Sequence, residues 1–350
     1  MSATDALTDA GRLTARYLSA LWVRGLLKLG AVVLFLGVGF TGLQLTGAPL
    51  DPETVDEPAD LWAYAWLFAG GIGVYAALRY LAATLEFVFV TSLRTREVAL
   101  RQYLRDHLGA GLWLLLFRAA IVAGALAVVA AAAALLVGTD PVAFETAGTQ
   151  QGLMVGSVAL LAGFGWLTVD TLTTGFVVPI MQHSRCGPLS GWRRFIRAMS
   201  SNPLAVVAFL LVAWIVGFAL WLVLLGLGFA IGFFGVLVVV LLGSALTAIH
   251  SAFEPVVFVL ILAGVIGYQY TLALIEAPVR SYVRYYALVV LGETDPELDL
   301  ITDYRAELTE SADDSLTEHV EQSPETAAPA ADGTDSEKTT DDSTDDSADS

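Results

Sequence analysis

The chain has almost no lysine, one cysteine and no recognisable catalytic signature. Two lysines, Lys28 and Lys338, stand against 16 arginines. A lone cysteine, Cys186, excludes a disulfide within the chain and is too little for a thiolate metal site. The four histidines, at 107, 183, 250 and 319, are scattered. His250 and Glu254 share a short polar break but do not make the several spaced ligands that a metal needs. No G-x-x-x-x-G-K-[ST], H-E-x-x-H or G-x-S-x-G occurs, so the sequence offers no phosphate loop, zinc-protease helix or nucleophile elbow. The expectation is a protein that is not an enzyme, with no cofactor and no metal. The basic loops are too small to suggest nucleic acid.

Charge is also scarce. Of 350 residues, 15% are charged and 56% hydrophobic, and the mean hydropathy is +0.68. Soluble domains carry about a quarter charged residues. The net charge of −17 is misleading as an average. Residues 293–350 hold 20 Asp and Glu against Arg305 and Lys338, a net of −18, so the rest of the chain is at +1. The acidity belongs to the tail. From about Ser311 that tail is Asp, Ser, Thr, Glu, Ala and Pro, ending in TTDDSTDDSADS, and such a composition cannot bury enough surface to fold. An acidic, lysine-poor chain fits the high-salt cytoplasm of a halophilic archaeon, where carboxylates keep a surface hydrated.

What is abundant is long apolar sequence. A bilayer-spanning helix needs about 20 apolar residues. Candidate spans are 26–45, 61–93, 111–137, 153–181, 203–225 and 256–275, with 226–249 also apolar enough. No small-residue cleavage site follows the first run, so it is expected to remain as a span. Gly226, Gly228, Gly232, Gly235 and Gly243 suggest that 226–249 is broken or re-entrant, as irregular backbone can be where protein covers it. The expected fold is therefore all-α, a polytopic bundle of six spans, with seven as the alternative. The expected divisions are an interfacial segment 1–25, a transmembrane domain 26–291, a juxtamembrane segment 292–310 and a disordered acidic tail 311–350.

Arginines set the orientation. Arg24 and Lys28 open the first span, Arg94, Arg96, Arg101 and Arg105 follow the second, and Arg185, Arg193, Arg194 and Arg197 follow the fourth. Loops 46–60 and 138–150 have no basic residue. By the positive-inside rule the N-terminus, 94–107 and 182–202 are cytoplasmic. Arg280 and Arg284 follow the last span and put the tail on the same side, which requires an even number of crossings. The protein is thus expected in the cell membrane with both termini inside.

The stretch GPLSGWRRFIRAMSSNP, residues 187–203, has helical periodicity, with Trp192, Phe195, Ile196 and Met199 on one face. Such a helix suits the membrane interface, its apolar face down and Arg193, Arg194 and Arg197 toward lipid phosphates. Residues 7–23 and 97–108 have a similar character. Membrane lipids are the first expected partner, with a membrane or cytoplasmic protein as a second.

Four ionisable residues fall within spans and are functional candidates on cost alone: Arg79, Glu86, Arg118 and Asp170. At 1.5 Å per residue, Glu86 and Arg118 lie about 12 Å from their cytoplasmic helix ends, and Arg79 and Asp170 about 20 Å. Matched depth suggests two pairs, Glu86–Arg118 and Arg79–Asp170. Thr168, Thr171, Thr173 and Thr174 surround Asp170, and Pro179 is expected to bend or end that helix. Gly70, Gly71 and Gly73 are expected to permit close helix contact.

Three segments carry a resemblance: EFVFVTSLRTREVALRQYLRDH, TTGFVVPIMQHSRCGPLSGWRRFIRAMSSNPLAVVAFLL and VRSYVRYYALVVLGETDPELDLI. They resemble uncharacterised haloarchaeal multi-span membrane proteins. The middle one is also similar to the membrane domain attached to some glycerophosphodiester phosphodiesterases, in which a span ending at VVP precedes a basic amphipathic helix. The phosphodiesterase domain with its metal ligands has no counterpart here, so the resemblance implies a stand-alone membrane module and carries over no catalytic residue. The function expected from all this is a lipid-associated or transport-accessory module. A permease with a polar core at Arg79 and Asp170, and a scaffold for cytoplasmic partners, are the alternatives.

Overall fold

The computed structural model describes residues 3–45, 58–97, 100–140, 148–250, 253–302 and 304. Among them no strand occurs, and the chain is helical nearly throughout. In chain order the helices are α1 (Ala3–Ala20), α2 (Val23–Leu45), α3 (Pro58–Thr95), α4 (Leu100–Asp106), α5 (Leu108–Leu136), α6 (Thr149–Ser184), α7 (Pro188–Met199), α8 (Pro203–Ile249) and α9 (Glu254–Thr294). Pro188 and Pro203 open their helices, where a missing N–H costs nothing. One compact unit spans Met1–Tyr304. The tail 311–350, residues 305–310 and most of loop 46–60 lie outside the described residues.

Among the described residues five helices are long and apolar enough to cross a membrane: the described part of α3, then α5, α6, α8 and α9. The count is six if α1 and α2, which meet at a bend of 117°, form one broken span. Side chains divide the bundle along its length. At the arginine-rich end, Ala82–Val90 of α3 and Tyr285–Leu291 of α9 are buried on every side. Away from that end the helices expose Leu126, Leu135, Leu160, Phe229, Phe233 and Phe234. Water would not tolerate so much contiguous apolar surface, whereas lipid requires it. The chain has the build of a multi-pass membrane protein.

Segment 226–249 departs from expectation. It is neither broken nor re-entrant but the second half of α8, one helix of 47 residues. Three of its glycines, Gly228, Gly232 and Gly243, are packing sites. Tyr268 of α9 lies over Gly228 and Gly232, and its hydroxyl donates to the Gly228 carbonyl at 3.2 Å. In apolar surroundings a backbone group has no partner outside the helix, so the ladder stays intact through the glycines. At about 1.5 Å per residue α8 is about 70 Å long, more than twice a hydrocarbon core. Because the segment extends α8, it adds no seventh crossing.

Pro179 does not end its helix either. Its ring cannot donate to the carbonyl four residues back, and a π turn at Thr173–Val177 lies directly ahead of it. The widened turn lets α6 continue to Ser184.

The amphipathic helices α1 and α7 both form, but their apolar faces pack on protein. Phe195 of α7 stacks on Phe176 with ring centroids 5.1 Å apart, and Trp192 Nε1 donates to Thr173 Oγ1 at 3.2 Å. Gly191 lets α7 settle on Val177 and Met181. Of the expected lipid-facing residues Ile196 alone is largely exposed, at 59%. Likewise Ala6, Ala10, Leu13 and Tyr17 of α1 are buried, and the Tyr17 hydroxyl meets Ser92 of α3 at 3.1 Å. Leu298 and Ile301 are buried as well.

Among the described residues Gly70, Gly71 and Gly73 have nothing within 4 Å of where a Cβ would stand, so no close contact expected of them is found there. Gly111 of α5 does, since a Cβ there would sit 2.3 Å from Thr84 Oγ1 and 2.9 Å from Thr84 Cα. Gly111→Ala is therefore expected to cost about 1–3 kcal/mol by overpacking, seen as a lowered melting temperature in detergent. Gly71→Ala should leave the melting temperature unchanged.

Candidate functional site

Glu86 sits where α3 meets α5 and α9. Its Oε1 accepts from Arg118 Nη2 of α5 at 3.3 Å, and its Oε2 accepts from Arg284 Nη2 of α9. Arg118 reaches a second carboxylate on α6, with Nε 3.0 Å from Asp170 Oδ1. Its Nη2 also donates to Thr174 Oγ1 at 2.5 Å. One chain of charges, Asp170–Arg118–Glu86–Arg284, thus ties four helices together. The π turn matters here, because it begins three residues after Asp170 and contains Thr174.

The pair Glu86–Arg118 is the one matched depth suggested. The pair Arg79–Asp170 is not present. Asp170 pairs with Arg118, and Arg79 is half-buried with no ion pair among the described residues. The depth count failed because it did not allow for Asp170 standing within reach of the Arg118 side chain. Arg284 was missed altogether. Read as the marker of a cytoplasmic loop, it is buried in the core, with its side chain 8% exposed. The signal was available: α9 continues as SYVRYYALVVLG, a helical pattern with no stop. One turn earlier, Arg280 Nε donates to Glu276 Oε1 at 2.6 Å.

Burial grades the charges. The Glu86 side chain is 7% exposed and that of Asp170 34%. An isolated buried charge is prohibitive, and a buried pair survives only when its hydrogen-bonding groups are satisfied. Glu86 meets that condition by serving two guanidinium groups.

Above this chain of charges α6, α8 and α9 part to leave a cavity of about 650 Å³. Asp170, Thr171, Thr174, Glu276, Arg280 and Arg284 give it a polar side. Phe164, Phe209, Trp214, Phe218 and Trp221 give it an aromatic one. Its size falls within the range of small-molecule sites. A second, larger hollow of about 1270 Å³ lies at the arginine-rich end, between α5 and the α6–α7 connection that carries Cys186.

Arg193, Arg194 and Arg197 are exposed on α7, and Arg194 Nη1 donates to Ser184 Oγ at 2.6 Å. No group of three His, Cys, Asp or Glu residues placed to hold a metal occurs among the described residues.

The chain belongs to a family of unknown function, DUF7544, whose model matches residues 1–301. The match ends where the compact unit is about to end and leaves out the acidic tail. No curated protein and no solved structure matches the chain.

Glu86→Gln should destabilise the protein by about 3–5 kcal/mol, since it leaves Arg118 and Arg284 buried without their shared countercharge. Asp170→Asn should cost less, as its carboxylate is partly exposed, and Arg79→Gln should be nearly neutral. Thermal unfolding of the three variants in one detergent gives the ranking. A large loss at Arg79 would mean that the charge network extends to it.

Proposed function

We propose that this member of a family without an assigned role is a lipid-associated or transport-accessory module of the cell membrane, with its N-terminus and acidic tail in the cytoplasm. It performs no chemistry of its own. The observation that carries this reading is the cavity between α6, α8 and α9, charged on one side and aromatic on the other, among helices whose outer faces suit lipid. Such a site suits a molecule that is itself polar at one end and apolar at the other. Among the described residues no serine, cysteine or histidine lines it, and its threonine hydroxyls are held by the Leu167 carbonyl and by Arg118.

The permease alternative needs a polar path through Arg79 and Asp170, and Asp170 is engaged by Arg118. The scaffold alternative rests on exposed Arg193, Arg194 and Arg197, which lie beside one another at the arginine-rich end. On an anionic bilayer each arginine is worth about 1 kcal/mol. Purification in native lipid patches, followed by mass spectrometry, separates the readings. Substituting all three arginines by glutamine should reduce co-purifying anionic lipid. Loss of a stoichiometric protein partner instead would make the protein a scaffold.

The orientation has its own test. Cys186 is half-buried in the α6–α7 connection and is the sole thiol. A membrane-impermeant maleimide should leave it unlabelled in intact cells and label it after lysis. Labelling of intact cells would reverse the topology.

A further inference from the structure

Three buried donors make no hydrogen bond among the described residues; Arg118 Nε has its ion pair with Asp170, and the other two, Nη1 of Arg284 and Nε1 of Trp214, belong to side chains that line the same cavity. Each is costly to leave empty, because a buried donor deprived of water keeps its full desolvation penalty. The Arg284 side chain is more than nine-tenths buried, and its other terminal nitrogen is taken by Glu86. Trp214 is fixed by an edge-to-face contact with Phe164, centroids 4.7 Å apart. The other polar groups of the cavity are already engaged: Glu276 with Arg280, Asp170 with Arg118, and the Thr171 hydroxyl with the Leu167 carbonyl. The unmet demand is for an acceptor.

Glu86 is shared by two guanidinium groups, and the second carboxylate, Asp170, answers Arg118 and not Arg284. The four charges sum to zero, so what Arg284 lacks is an acceptor for Nη1, and a guanidinium N–H bonds most strongly to a charged oxygen. Beyond the two donors the walls are Phe209, Phe218 and Trp221 from α8, which extend the site along apolar surface. We infer that the cavity is a binding site for an amphiphile with an anionic oxygen headgroup, a phosphate or a carboxylate, held by Arg284 Nη1 and Trp214 Nε1 with its apolar part along α8. This rests on the lipid-associated reading and names its ligand class and the atoms that recognise it.

The probe is dodecyl phosphate, titrated into the full chain in nanodiscs of uncharged-headgroup phosphatidylcholine and followed by calorimetry, with dodecyl maltoside and inorganic phosphate as comparisons. Saturable binding of one dodecyl phosphate is expected, at least tenfold tighter than either comparison. Trp214→Phe keeps the wall and removes only the donor, so it should weaken dodecyl phosphate about tenfold, the value of one hydrogen bond to a charged group, and leave dodecyl maltoside unchanged. Arg284→Lys should weaken it further, but Arg284 also holds Glu86, so the tryptophan variant decides if that protein does not fold. Equal binding to Trp214→Phe and to the unaltered protein would overturn the role of the donors. Dodecyl maltoside binding as tightly would overturn the anionic headgroup and leave a lipid-associated protein standing. Inorganic phosphate binding as tightly would make this a site for the free anion. Binding of none of the three would overturn both the inference and the lipid-associated reading.

Discussion

Glu86 is the point on which the bundle depends. One carboxylate, nearly sealed from solvent, pairs with guanidinium groups on two other helices, and one of these reaches on to a second carboxylate on a fourth. Helices in lipid gain little from hydrophobic attraction to one another, since the tails around them are equally apolar. Packing of small residues and polar contacts must do that task. Here Gly111, Gly175 and Gly191 bring backbones close to Thr84, Phe209 and Val177, and the charge network fixes which faces meet.

The bundle has two regimes. At the arginine-rich end it resembles the interior of a soluble protein. α3 and α9 are surrounded, α1 and α7 cover them, and tyrosines make specific bonds such as Tyr285 to the Leu93 carbonyl at 2.7 Å. Away from that end the helices separate and present uniform apolar surface. The cavity lies at the transition. There the helices have begun to part, the polar side chains of the core are still within reach, and lipid-facing aromatics have started. A site charged on one side and apolar on the other arises from that position.

The same position explains why α6 carries a π turn. Asp170 and Thr174 must both reach Arg118, while Gly175 and Phe176 must meet Phe209. A regular helix with Pro179 just beyond would leave a carbonyl unpaired within the bundle. The extra residue in the turn relieves that demand and re-aims the side chains after it. Membership of a family of unknown function, matched over residues 1–301, covers the whole of this arrangement and leaves the acidic tail apart.

By itself the sequence determined the class of solvent and the order of the helices. Some twenty apolar residues in a row can be nothing but a span or a buried helix, and that is a property of the chain alone. It also flagged Glu86, Arg118 and Asp170, because a charge in an apolar run is conspicuous wherever its partner lies. Partners and levels were decided only by tertiary structure. Arg284 looked like a loop residue because positive charge past an apolar run is the usual mark of a helix end. Here α9 continues, and its arginine turns into the core toward Glu86. Glycines over 226–249 suggested a break, although the helix runs on and Tyr268 of a neighbouring helix packs over Gly228 and Gly232. Periodicity placed an apolar face on α7, yet could not tell lipid from Phe176 and Val177 as the surface beneath it. Each of these depends on what stands opposite a residue, and that is set by contacts between segments distant in sequence, which no local pattern contains.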